Sequence, residues 1–146
     1  MEEIDRQILR LLSQDGRMSF TDLGRATGLS TSAVHQRVRR LEQRGIIRGY
    51  TAVVQSEAID LPLTAFVSVT PLDHSAPDDI PDRLVPITEI EACYSVAGDE
   101  NYLLKVRVAT PLALEALLAR IRTEAGARTR TTVVLSTAYE ARPLPI

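Results

Sequence analysis

The stretch Ser19–Gly45, SFTDLGRATGLSTSAVHQRVRRLEQRG, decides how the first third of this chain folds. It holds two short helical patterns separated by Gly28-Leu29-Ser30, and the second is loaded with Arg and small polar residues. Ser19 stands three residues before Asp22, the spacing of a capping box, in which each side chain satisfies an orphan backbone N–H. Leu23 and Ala26 supply the inward face of the first helix, with Phe20 near its start. Gly28 falls where a left-handed residue ends a helix, since glycine takes positive φ without a steric cost. Leu29 is placed to pack into the angle between the helices. Ser30 or Thr31 then caps a second helix that runs to about Arg44 and stops at Gly45. A short connection containing glycine is the joint of a helix-turn-helix unit.

Geometry sorts the second helix. Each step turns the chain by about 100°. With Val34 as zero, Val38 falls near about 40° and Leu41 near about −20°, so these three form the buried stripe. Ser32, Gln36, Arg39, Arg40 and Gln43 lie opposite, flanked by Ala33 and His35. Arg37 comes out near about −60°, at the edge of the apolar stripe, a position that suits a buttress or a phosphate contact better than base reading. The candidate DNA-binding residues are Thr31, Ser32, Ala33, His35, Gln36, Arg37, Arg39 and Arg40. Arg suits guanine or phosphate, Gln suits adenine, and short residues near the helix start permit close approach. A basic solvated face is the plainer reading of a charge run alone. Here the caps, the turn and the preceding helix agree on a helix laid in a DNA groove.

Met1–Asp15 supplies a third helix, with Ile4, Ile8, Leu11 and Leu12 recurring at i, i+4, i+7 and i+8 along one face. The run Ile46–Val54 that follows is β-prone and reads as a small wing, a linker strand or both.

The chain has 146 residues, 45% of them apolar, enough for one domain or two small ones. Its net charge of −2 hides an asymmetry: residues 1–50 carry nine Arg against six acids, and residues 51–146 carry eight basic residues against thirteen acids. The positive charge thus sits where the helix pattern puts the DNA face. The single Cys93 lies in an apolar run and reads as a buried strand residue in a reducing compartment. No apolar stretch approaches the ~20 residues that span a bilayer, and no signal-peptide pattern precedes Glu2, so a cytoplasmic protein is expected. The two His residues, His35 and His74, stand apart from each other and from Cys93, and neither a phosphate loop nor a nucleophile motif occurs. No metal site, resident cofactor or enzymatic activity is expected.

From Leu63 the pattern changes to strands. Leu63–Thr70, Glu89–Ala97, Tyr102–Ala109 and Thr129–Thr137 read as strands. A short helix is expected to begin near Asp78 or Asp79, with Ile80, Leu84 and Val85 at helical spacing. A longer helix, Pro111–Ala125, buries Leu114, Leu117, Leu118 and Ile121. The order β-α-β-β-α-β predicts an α+β, ferredoxin-like domain with both helices on one face of a four-stranded antiparallel sheet. The strands are apolar enough that the other face needs cover, which a two-fold partner sheet would give. The expected division is a helix-turn-helix domain at 1–49, a linker strand or hinge at 50–62, and the ferredoxin-like effector-binding and oligomerisation domain at 63–146.

The residues quoted next resemble a known pattern. Ile4-Asp5, Ile8-Leu9, Asp15-Gly16-Arg17, Gly28-Leu29-Ser30, Arg37-Val38-x-Arg40-Leu41-Glu42 and Gly45-Ile46-Ile47-x-Gly49-Tyr50 resemble the Lrp/AsnC (feast/famine) transcription regulators. The match continues through Gly98-Asp99-x-Asn101-Tyr102-Leu103-Leu104 and the strand at Thr129–Thr131, covering nearly the whole chain. The resemblance implies a regulator that binds double-stranded DNA, assembles as a homodimer and often an octamer, and senses a small amino acid between dimers. It places the effector near Gly98, Asp99, Glu100, Asn101 and Tyr102, a stretch that by its own chemistry reads equally as a hairpin turn. The chain departs from the family at Asn101, where an Asp is usual, and at Gln55-Ser56-Glu57, where the family carries Asp-Pro after its linker strand. Two alternatives accompany this reading: a haem-pathway, tetrapyrrole-decarboxylase-like enzyme resembling the same two-domain arrangement, and a ligand-independent DNA-organising or co-regulator protein.

Overall fold

Helices α1 (Glu3–Gln14), α2 (Phe20–Thr27) and α3 (Thr31–Gln43) open the chain in the computed structural model, which describes residues Met1–Ile146. Ile8, Leu23, Val34, Val38 and Leu41 form their shared core, with Leu29 and Ile47 packed against it. Full burial of such side chains stabilises by roughly 1.5–3 kcal/mol each. The stripe read from α3 is therefore the buried one. Ala26 is exposed rather than inward, and Gly24 beside Leu23 is buried instead. The reason is the tightness of the turn: a Cβ on Gly24 would stand 2.6 Å from the carbonyl oxygen of Leu29. Gly28 takes φ 72° and donates its N–H back to the Gly24 carbonyl, closing α2. Ser30 caps α3, its Oγ accepting from the N–H of Ala33 at 3.2 Å. Ser19 Oγ accepts from the N–H of Asp22 at 3.0 Å and donates to the Asp22 carboxylate at 2.7 Å, so the pair meets side chain to side chain rather than as a reciprocal box.

This first compact unit comprises Met1–Val53 together with Ala138–Ile146. By its contacts the C-terminal segment groups with the helices. One tie is visible: Arg10 Nε donates to the carbonyl of Ile146 at 2.7 Å. The expected linker strand does not form. Residues 48–55 make no ladder with any strand of the chain, and Val53 and Val54 stand exposed. A β-prone run without a partner has no inter-strand bonds to hold it extended. A single 3-10 turn, Ser56–Ile59, follows.

The second unit, Val54–Thr137, runs β1 (Leu63–Pro71), α4 (Ile80–Leu84), β2 (Ile90–Ser95), β3 (Tyr102–Val108), α5 (Pro111–Ala125) and β4 (Ala127–Val133). The sheet order is β2-β3-β1-β4 with every neighbouring pair antiparallel, as the β-α-β-β-α-β order predicts. Ala65, Val67 and Val69 of β1 and Leu104 and Val106 of β3 meet Ile80, Leu84, Leu114, Leu117 and Ile121 in one core. Thr110 caps α5 by accepting from the N–H of Ala113 at 3.1 Å.

Three expectations are corrected here. Val85 falls past the helix and is 77% exposed, because α4 ends after a single turn at Leu84. The last strand begins at Ala127 and ends at Val133, earlier than Thr129–Thr137, because the chain enters the ladder directly after α5 and pairs Pro71 with Ala127. Cys93 is exposed, because β2 is an edge strand with sparse cover. The face opposite the helices is also less apolar than expected. Strand alternation puts Phe66 and Ser68 there with Leu103, Lys105 and Arg107. Lys105 Nζ pairs with Glu91 at 3.2 Å, and Arg107 pairs with Glu91 and Ser56. Burial alone would push the Glu91 carboxyl up, but the bonds from Arg107 and Lys105 outweigh it and hold it below the ordinary range.

Candidate nucleic-acid interface and effector loop

Helix α3 exposes Thr31, Ser32, His35, Gln36, Arg39 and Arg40 to solvent, with Ala33 half-buried beside them. Capping sets this arrangement. With Ser30 fixed at the helix start and Val34, Val38 and Leu41 in the core, the remaining positions have only the outer side to occupy. Ser32 Oγ lies 3.1 Å from Ser30 Oγ, which holds the first turn compact. The ring of Phe20 lies 5.2 Å from that of His35, tilted by 59°, so α2 leans on the flank of the outer face. Arg39 and Arg40 are engaged in no ion pair. Two guanidinium groups and an amide on one exposed face can meet phosphate oxygens and base edges.

Arg37 differs from its neighbours. Its guanidinium donates to Asp5 at 2.8 Å and to Glu2 at 2.9 Å, reaching back to α1. The Arg37 side chain is 23% exposed and that of Asp5 only 8%. The Asp5 and Glu2 bonds raise the guanidinium pKa above its ordinary value, so the charge is fixed. Both of its bonds thus run to the start of the chain, away from the outer face of α3. Glu42, the one acid of α3, accepts from the Tyr50 hydroxyl at 2.9 Å. Partial burial and that bond push the Tyr50 phenol up to about 12.

Of the five effector-loop residues, Gly98, Glu100, Asn101 and Tyr102 line one recess of about 200 Å³ with Asp78 and Ser95, and Asp99 alone stands outside it. The connection from β2 to β3 is stitched to the sheet by Asn101 N–H donating to Val69 O at 3.1 Å and Val96 N–H donating to Asn101 O at 3.0 Å. Asp99 and Glu100 line a recess of about 250 Å³ with Ser68, Thr70, Arg128 and Arg130, on the sheet face away from the helices. Ser68 Oγ donates to Glu100 at 3.3 Å. Asn101 also borders a further recess of about 370 Å³ near Asp78 and Arg83. Tyr102 is only 4% exposed and its hydroxyl donates to Asp78, a bond that pushes the phenol up to about 12. Tyr102 thus packs in the core while bordering the 200 Å³ recess. Gly98 has open surroundings, where an added Cβ would meet only the Glu100 carboxylate at 3.9 Å. Arg128 and Arg130 were not singled out from sequence, although their alternation with Thr129 and Thr131 puts both on the same strand face.

A capped, glycine-jointed helix pair presenting a basic outer face, followed by a separate sheet domain, defines a helix-turn-helix transcriptional regulator. An AsnC-type helix-turn-helix domain matches residues 1–42 and an Lrp/AsnC ligand binding domain matches residues 64–144. The chain belongs to the Lrp/AsnC family. It is 54% identical over 142 residues to the HTH-type transcriptional regulator LrpA of Mycobacterium tuberculosis, covering 97% of this chain and 95% of that protein. It is 38% identical to the leucine-responsive regulatory protein of Escherichia coli (strain K12), covering all of this chain and 92% of that one. The solved structure of a feast or famine regulatory protein from M. tuberculosis complexed with L-methionine superposes with a TM-score of 0.94 at 55% identity, covering 95% of each chain. These relatives are named as regulators, and the decarboxylase-like alternative finds no support in them. No helix is long and apolar enough to cross a membrane.

Proposed function

We propose that α3 reads double-stranded DNA through Arg39 and Arg40, with Thr31, Ser32, Ala33, His35 and Gln36 facing the groove, and that a small amino acid bound by the sheet domain modulates this binding. The observation that carries the DNA reading is the free state of Arg39 and Arg40 on an outer face whose one acid, Glu42, is drawn off by Tyr50. The assignment predicts two kinds of loss. Replacing a phosphate-contacting Arg weakens all sequences alike and lowers the salt slope by about one. Replacing a base reader costs roughly 1–3 kcal/mol, mainly on the preferred site. Titration of Arg39→Ala and Arg40→Ala on duplexes selected by the wild-type chain from a random pool is the test. Unchanged binding and salt dependence in both would reject α3 as the reading helix.

The amino-acid reading rests on the methionine-bound relative and on the charges around the 250 Å³ recess. Asp99 and Glu100 offer acceptors for an ammonium, and Arg128 and Arg130 offer donors for a carboxylate, the complement of a zwitterion. Asn101 stands outside that recess, so the exchange of the family's Asp leaves its acids in place. The protein acts as a two-fold dimer or an assembly of dimers, presenting two α3 helices to half-sites about 10 bp apart or a multiple of it. DNA as partner places it in the cytoplasm. Calorimetry against all twenty amino acids, with light scattering alongside, checks both points. No heat and no change of assembly with any of them would leave residues 98–101 as a simple turn.

A further inference from the structure

We infer that Arg37 is a positioning residue, which with Asp5 forms a latch that sets the angle of α3 against α1 and so aims the DNA-reading face without touching DNA. The inference rests on α3 being the reading helix. Its observations are independent of that reading. Arg37 lies at the border between the buried stripe and the outer face, where a long side chain can turn either way. It turns inward. Both guanidinium ends are used, one on Asp5 at 2.8 Å and one on Glu2 at 2.9 Å. Asp5 sits buried in the first turn of α1, next to the helix N-terminus, where a carboxylate is favoured by the exposed N–H groups.

The contact is directional. Packing of Ile8, Leu23, Val34, Val38 and Leu41 holds the helices together and sets their crossing coarsely, while the hydrophobic term behind it is not itself directional. A planar guanidinium bonded at two ends to α1 fixes both roll and axial position. Lys at this position would keep the charge and lose the fork. Arg37 also offsets one of the two negative charges that Asp5 and Glu2 set beside the reading helix, where free carboxylates would repel phosphate.

A latch and a phosphate contact make opposite forecasts. The probes are a duplex selected from a random pool by the wild-type chain and an unselected mixed-sequence duplex. With full-length protein, Asp5→Asn and Arg37→Gln should each weaken binding to the selected duplex roughly tenfold, and the double variant should be no worse than either alone, since the two residues act as one unit. The salt slope should stay at the wild-type value, and mixed-sequence binding should change by less than the selected one. Arg37→Lys should behave like Arg37→Gln. Circular dichroism melting gives the folded fraction at the assay temperature; if Arg37→Gln does not fold, Asp5→Asn and Arg37→Lys carry the same comparison.

A slope lowered by about one in Arg37→Gln, with Asp5→Asn binding as well as or better than wild type, would make Arg37 a phosphate contact and overturn the latch. Additive losses, or equal losses on both duplexes, would overturn it as well. Failure of the reading-helix assignment shows separately, as unchanged binding in Arg39→Ala and Arg40→Ala.

Discussion

Gly24→Ala should destabilise the helical unit, against the ordinary trend for a glycine inside a helix. In an exposed helix interior this exchange gains about 1 kcal/mol from propensity. Here the new Cβ would stand 2.6 Å from the Leu29 carbonyl oxygen. That atom belongs to the backbone of the turn, which is held by Leu29 N–H donating to Gly24 O at 3.0 Å, so it cannot rotate aside. Overpacking of this kind costs roughly 1–3 kcal/mol, and a backbone obstacle puts the cost near the top of that range. After the propensity gain is set against it, the net loss is roughly 1–2 kcal/mol, a fall in melting temperature of about 5–15 °C for a unit of this size. Calorimetry of the full-length chain reads it directly. Gly16→Ala serves as the control, because its Cβ would meet Leu12 and Tyr50 only at 3.8 Å, and it should lie within about 0.5 kcal/mol of wild type. A Gly24→Ala chain that melts at or above the wild-type temperature would refute the close-approach account.

Other expectations follow from the same structure. Ser30→Ala removes the cap of α3 and should cost about 1 kcal/mol, seen as an earlier melt of the helical signal, whereas an unchanged melt would mean the Ala33 N–H finds another acceptor. Leu104→Ala, in the sheet core, should cost roughly 2–5 kcal/mol in denaturant unfolding, and a loss below about 1 kcal/mol would show that the core collapses into the gap. Tyr50 and Tyr102 should titrate near 12 in ultraviolet absorption, and Tyr102→Phe should remove one of those two components. Because the folded value of Tyr102 lies above the ordinary phenol value of about 10, its stabilising contribution is complete below pH ~10 and fades as pH rises towards 12. A Tyr102 that titrates near 10 would sever the proposed tie to Asp78.

The helical period made α3 legible: Val34, Val38 and Leu41 are buried where a turn of about 100° per residue puts them. Gly28 and Ser30 announced the joint, and the β-α-β-β-α-β order announced the sheet. What stayed hidden depended on contacts between elements. Gly24 looked like an ordinary helical residue because the carbonyl that forbids a Cβ comes from the turn five residues on. Asp5 lies three residues before Ile8 on the inward side of α1, and an acid on an apolar stripe is the signal that it has a partner elsewhere in the chain. Val54 and its neighbours have strand propensity but no neighbour strand, and propensity alone does not make a ladder. Tyr102 read correctly as the start of a strand, but its hydroxyl partner, Asp78, sits far back in the sequence and gave no local signal.

The strand order β2-β3-β1-β4 also bears on how the chain acquires its structure as it leaves the ribosome. The helical core draws on residues between Ile8 and Ile47, all close in sequence, and can condense as soon as that stretch has emerged. Strand β1 is synthesised next but lies in the interior of the sheet, bonded on one side to β3 and on the other to β4. One of its edges can be filled once β3 emerges, pairing Ala65 with Val106, while the other stays open until Val133 arrives to pair with Ala65. The reading head is thus ready long before the sheet domain, and the interval between them is when the nascent chain is most exposed to mispairing.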